Sequence, residues 1–179
     1  IGDSVTCGAG VDNYPKCEKT SSRSSNAYDS YGLVLGRRLD AEVHLVSYGG
    51  RGVVRDYRGF KDVLNGPELF HYSVPSDDAA QRAEWTDTRW VPDAIVVSLG
   101  TNDWNLQKKD PLNQDEFVGK YVKFLRELVL RYPTALIFAT QGSIVSDPVL
   151  SDWIRDTVAR VNDDRVRWFE SRHYKGSEC

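Results

Sequence analysis

The chain has 179 residues, 40% of them hydrophobic and 27% charged, the make-up of one ordinary globular domain with room for a core. Its net charge of −3 supplies no basic field for nucleic acid or an anionic membrane surface. No apolar run approaches the ~20 residues of a membrane-spanning helix, and no signal peptide is visible.

Ile1-Gly2-Asp3-Ser4 reads as the last residue of a buried strand followed by a sharp turn that carries a serine. The chain holds no methionine and opens on the tail of a strand, so it is expected to be a piece of a longer polypeptide. Cys7 and Cys17 flank a loop rich in turn formers. Either a disulfide closes that loop, adding roughly 3 kcal/mol by restricting the unfolded chain, or both thiols stay reduced. For Cys179, the last residue, a partner beyond the chain is expected.

Residues 25–39 read as a helix, with Tyr28, Tyr31 and Leu35 at helical spacing and Gly32 and Gly36 suited to close approach to a sheet. Val43 to Tyr48 reads as a strand running into the turn Gly49-Gly50-Arg51-Gly52. Residues 53–90 are too long for an ordinary connection, so a helix plus a surface excursion is expected there. Asp93 to Leu99 reads as a buried strand followed by the polar turn Gly100-Thr101-Asn102-Asp103. Asn113 to Tyr132 carries the stripe Phe117, Tyr121, Leu125, Leu128 and Tyr132, capped by Asn113 with Glu116 and ended by Pro133. A strand at 136–140 follows. Asp147-Pro148 then opens a helix whose inner face is Trp153, Ile154, Thr157, Val158 and Val161, and a last strand covers 166–170. Strands alternating with helices imply a parallel sheet wrapped on both faces.

In such a sheet the turns after the first three strands open at one edge. Asp3-Ser4, the glycines of 49–52 and Asn102-Asp103 therefore converge. That set fits acyl transfer. A serine hydroxyl attacks a carbonyl carbon. The Ser4 amide, a glycine amide of the second turn and the Asn102 side-chain NH2 are candidate donors to the developing oxyanion.

Gly2-Asp3-Ser4, Gly52 and Gly100-Thr101-Asn102-Asp103 resemble the first three sequence blocks of the SGNH (GDSL-type) hydrolases. The flanks Ile1–Gly8 (IGDSVTCG), Val46–Gly52 (VSYGGRG) and Arg89–Trp104 (RWVPDAIVVSLGTNDW) are similar to the family-2 carbohydrate esterases, acetyl esterases of plant cell-wall polysaccharides. The resemblance implies a flavodoxin-like three-layer α/β/α sandwich with a parallel, doubly wound sheet of about five strands. It implies Ser4 as nucleophile, with Gly52 and Asn102 joining the Ser4 amide in the oxyanion hole; Gly49 is the second choice for the glycine. It also implies that residues 1–179 form an esterase domain truncated at both ends, with a jelly-roll β-domain ahead and a histidine block after it.

That block, Asp-x-x-His-Pro, supplies the general base in the family, and the chain lacks it. His44, inside the expected strand, reads as structural, and His71 falls in the irregular excursion. Glu170-Ser171-Arg172-His173 imitates the spacing without the proline, so the base is expected beyond Cys179, with His173 as the candidate within the chain. Trp104 reads either as a substrate wall or as core, and Trp90 as packing. Asp103 reads as a turn former that holds Asn102, and Arg51 as a solvated arginine within reach of substrate. No residue cluster has metal-ligand spacing and no cofactor is expected. The expected function is a secreted serine esterase that removes O-acetyl groups from xylan or glucomannan through an acetyl-serine intermediate. The expected partner is acetylated plant polysaccharide, with neither nucleic acid nor membrane. The alternatives are a lipid esterase, thioesterase or peptidoglycan O-acetylesterase of the same fold, and a non-catalytic carbohydrate-binding scaffold.

Overall fold

The computed structural model describes residues 1–13, 22–76, 78–86, 89–145 and 147–171. The first helix, α1, spans Tyr31–Leu39 and starts six residues later than the spacing predicts. The polar side chains ahead of it bond locally instead: Asn26 Nδ2 donates to Asp12 and Asp29, and Arg37 reaches back to the Tyr28 carbonyl. The glycines of α1 do bring it close to the neighbouring segment. A Cβ on Gly32 would lie 2.8 Å from Leu45 Cδ2, and one on Gly36 would lie 2.3 Å from Val43 Cγ2.

Residues 53–90 hold one short helix, α2 (Gly66–Leu69), and a two-stranded antiparallel hairpin, β1 (Tyr72–Val74) with β2 (Ala83–Glu84). Strand β3 (Ala94–Ser98) follows. The expected polar turn after it is one helical turn, α3 (Thr101–Trp104), entered through Gly100 at φ 118°. Helix α4 (Gln114–Arg131) is capped by Asn113, whose Oδ1 accepts from Glu116 N at 2.9 Å. Strand β4 (Leu136–Thr140), helix α5 (Pro148–Val161) and strand β5 (Val166–Trp168) complete the order.

Strands β3, β4 and β5 form a parallel sheet in that order, in register from Ala94↔Leu136 to Ser98↔Thr140. Of the expected sheet of about five strands, three are formed among the described residues. Two further segments align beside it through single parallel bridges, Gly2↔Ser47 and Gly2↔Ser98. The backbone bonds show the alignment. Ile1 N donates to Val96 O and Ser98 N to Ile1 O, while Gly2 N donates to Val46 O and Tyr48 N to Gly2 O. Residues 43–48 are joined to this sheet through the single bridge at Ser47 and do not form the expected strand.

The predicted stripe on α4 is the centre of the core: Phe117, Tyr121, Leu125 and Leu128 are fully buried, with Ile95, Val97, Ile137 and Ala139 of the sheet and Ile154 of α5 in the same cluster. Replacing Leu125 by alanine removes side-chain packing at a site with no solvent access. It is expected to cost about 2–5 kcal/mol of unfolding free energy, measured by urea titration.

Candidate active site

The turn after residues 1–2 folds back on itself. Cys7 N donates to Asp3 O, Gly8 N to Val5 O and Ala9 N to Ser4 O. Position 2 has no room for a side chain, since a Cβ there would lie 1.9 Å from Thr6 Oγ1 and 3.1 Å from Ser98 O. This compact turn presents Ser4, half-buried, at the carboxyl edge of the sheet.

Three segments meet at Ser4. The Cα of Gly49 faces it, so that a Cβ at Gly49 would stand 3.7 Å from Ser4 Cβ. Asp3, the residue before Ser4, accepts from Val5 N at 3.0 Å and from Asn102 Nδ2 at 3.1 Å. Asn102 Nδ2 gives its second proton to Arg51 O at 3.0 Å, which ties α3 to the glycine turn. The N–H of that same Arg51–Gly52 peptide points the other way, to the buried Asn65 Oδ1 at 3.4 Å. The structure therefore brings Asn102 to the serine turn through Asp3, sets Gly49 against Ser4, and holds Gly52 by its N–H against Asn65.

Asp103 does more than hold its neighbour. It is fully buried in α3 and accepts from three successive backbone amides, Val53 N at 2.7 Å, Val54 N at 2.7 Å and Arg55 N at 3.1 Å. A Cβ on Gly52 would lie 2.1 Å from its Oδ2. Arg55, also buried, donates Nε to Asp103 O and its two terminal nitrogens to Asp110. Asn65 Nδ2 donates to Val54 O and Val63 O. Sequence reasoning missed Arg55 and Asn65. Their only signal is an apolar pair, Val53-Val54, directly after a glycine turn. Burial pushes the Asp3 and Asp103 carboxyl groups up to about 6, against the pull of their amide donors.

The remaining candidates fall elsewhere or have other partners. Trp104, half-buried, donates Nε1–H to Asp147 Oδ2 at 3.0 Å and packs edge-on against Trp153 at 5.0 Å. Arg51 is buried, so the expectation of a solvated arginine is corrected: its guanidinium lies over the Tyr48 ring at 5.9 Å. His44 stacks on Trp90 at 3.9 Å and pairs with Glu42, and His71 pairs with Glu127 of α4. Cys7 is a free thiol donating to Ser47 Oγ at 3.2 Å. Cys17, His173 and Cys179 lie outside the described residues, while Glu170 is exposed and lies past the end of β5. Among the described residues no group of three or more His, Cys, Asp or Glu is placed to hold a metal ion, and no helix is long and apolar enough to cross a membrane.

A parallel α/β sheet with a serine turn at its carboxyl edge, bonded to an asparagine after the third segment, defines the GDSL-like class of α/β proteins. The chain belongs to the GDSL-like lipase/acylhydrolase family, whose model matches residues 1–172. It is 34% identical, over 98% of its length, to an acetylxylan esterase/glucomannan deacetylase of Cellvibrio japonicus, and 29% identical over 92% to the cellulase/esterase CelE of Acetivibrio thermocellus. It spans 48% of the first of these relatives and 19% of the second. A family two carbohydrate esterase structure from Cellvibrio japonicus superposes with a TM-score of 0.89 at 33% identity, over 98% of this chain and 51% of that one. Another from Clostridium thermocellum, in complex with cellohexaose, gives 0.82 at 26%, over 99% of this chain and 54% of that one.

A carboxyl group with a folded-state pKa of about 6 retains a proton that the unfolded chain, titrating near 4, has already released. Its contribution to stability is fully present below about pH 4 and is lost as pH rises through about 6. The unfolding free energy of the wild type minus that of Asp3→Asn is therefore expected to fall between pH 4 and pH 7 in urea titrations. A difference that does not vary with pH contradicts the shift.

Proposed function

We propose that the chain is the hydrolase domain of a secreted serine esterase that removes O-acetyl groups from a plant cell-wall polysaccharide, xylan or glucomannan. The observation that carries the reading is the bond from Asn102 Nδ2 to Asp3, which brings the carboxamide to the residue beside Ser4 across 99 positions of sequence. The names of the relatives support the choice of ester.

Ser4 Oγ attacks the acetyl carbonyl carbon and passes its proton to a general base. The tetrahedral oxyanion is met by the Ser4 amide, Asn102 Nδ2 and a glycine amide. Gly52 serves by turning the Arg51–Gly52 peptide away from Asn65; the same turn frees the second Asn102 proton from Arg51 O. Gly49, whose Cα faces Ser4, is the alternative. The sugar oxygen leaves with the proton, and water then releases acetate from acetyl-Ser4. His173, or a histidine after Cys179, is the base. Trp104 forms a wall of the acyl pocket.

The same reading takes 46–48 and 1–2 as two further strands beside β3, with 46–48 outermost, in a five-stranded flavodoxin-like sheet of a three-layer sandwich. It also places an N-terminal β-sandwich domain on the full-length protein, in keeping with relatives about twice as long as the chain. The relative bound to cellohexaose favours a second reading, that the site also grips a glucan chain.

In the full-length protein, Ser4→Ala is expected to abolish release of acetate from acetylated xylan and from an activated acetate ester. Asn102→Ala is expected to lower kcat about 10²–10³-fold. Equal turnover in Ser4→Ala and wild type ends the esterase reading. Butyrate esters cleaved faster than acetate esters would shift it to a lipid esterase or thioesterase.

A further inference from the structure

The glycine turn is held at two points, one on each side of Gly52. Upstream, Arg51 O accepts from Asn102 Nδ2 at 3.0 Å. Downstream, the amides of Val53, Val54 and Arg55 all converge on the Asp103 carboxylate at 2.7–3.1 Å. Asn102 and Asp103 are adjacent in α3, so one short helical turn grips the loop at both points. Gly52 is the single residue between them, and it lies against Asp103 closely enough that any side chain would collide with the carboxylate. The downstream grip is the firm one, since the carboxylate has no solvent access and Arg55 Nε binds back to Asp103 O at 2.9 Å.

We infer that Asp103 is a positioning residue of the Ser4 site: it anchors residues 53–55, the fixed end from which the Arg51–Gly52 peptide turns toward the oxyanion beside the Asn102 carboxamide. This rests on the esterase reading above. Asp103 touches neither Ser4 nor the expected position of the ester. It acts through the geometry of the donors that meet the oxyanion, so its loss weakens a contact made in the transition state and spares ground-state binding. Carboxylate chemistry is needed for the task. An asparagine of the same shape offers one acceptor oxygen, and its NH2 would confront an amide N–H where Oδ2 now accepts from Val53.

The test compares full-length wild type, Asp103→Asn and Ser4→Ala on an activated acetate ester, with rates expressed per folded protein. Asp103→Asn is expected to lower kcat at least about tenfold with KM within about twofold, and to weaken inhibition by a small alkyl boronic acid, a tetrahedral oxyanion mimic, by a similar factor. Unchanged kcat and boronate inhibition in folded Asp103→Asn, with Ser4→Ala inactive, overturns the positioning role alone. Persistent turnover in Ser4→Ala overturns the esterase reading instead. Amide hydrogen exchange in the wild type needs no variant to fold. Strong protection at Val53, Val54 and Arg55 in the free protein supports the anchor, and exchange at the rate of an exposed loop refutes it.

Discussion

The insertion of two residues, Ile1 and Gly2, between the segment 46–48 and strand β3 is the constraint on which the site depends. Four backbone hydrogen bonds place this pair, two to each side. They fix where the serine turn begins relative to the turns after 48 and after β3. Without that lateral pairing the three polar turns would be three unrelated surface loops. Gly2 makes it possible because the turn closes onto its Cα, leaving no space for even a methyl group.

The helices and inner strands were legible because each carries one dominant signal. The stripe on α4 and the cap at Asn113 put its ends within a residue of their observed positions. The apolar runs of β3 and β4 pair with each other along their whole length, and their buried side chains share one core cluster with α4 and α5. The outer parts were less legible for a reason of the same kind. A strand exists through its partner, and residues 43–48 meet theirs at the single bridge of Ser47 with Gly2. Residues 25–30 have helical spacing, but Asn26 Oδ1 takes the Asp29 N–H locally and the helix begins only at Tyr31.

At the site, Ser4, Asn102 and the glycine turn were foreseeable from their places after successive strands. What the spacing could not reveal is the buried polar scaffold beneath them. Asp3, Asp103, Arg55 and Asn65 are each nearly or wholly without solvent access, and each spends its hydrogen bonds on the loops rather than on substrate. Leaving any one of these buried groups unpaired would cost on the order of 1–3 kcal/mol, more for the charged ones. The groups thus act as a set, in which aspartates and an arginine that look like ordinary surface charges in sequence are interior struts. Arg55 illustrates this: nothing in Val-Val-Arg-Asp announces a guanidinium enclosed by backbone carbonyls and one carboxylate.

Asp147 has a double attachment of a different kind. One of its oxygens caps α5 at Val149 N, and the other holds the indole of Trp104, two residues past Asn102. The start of a long core helix and the end of the short helix bearing the carboxamide therefore share one carboxylate. Any shift of that indole is transmitted through Asp147 to the first turn of the fourteen-residue helix behind it.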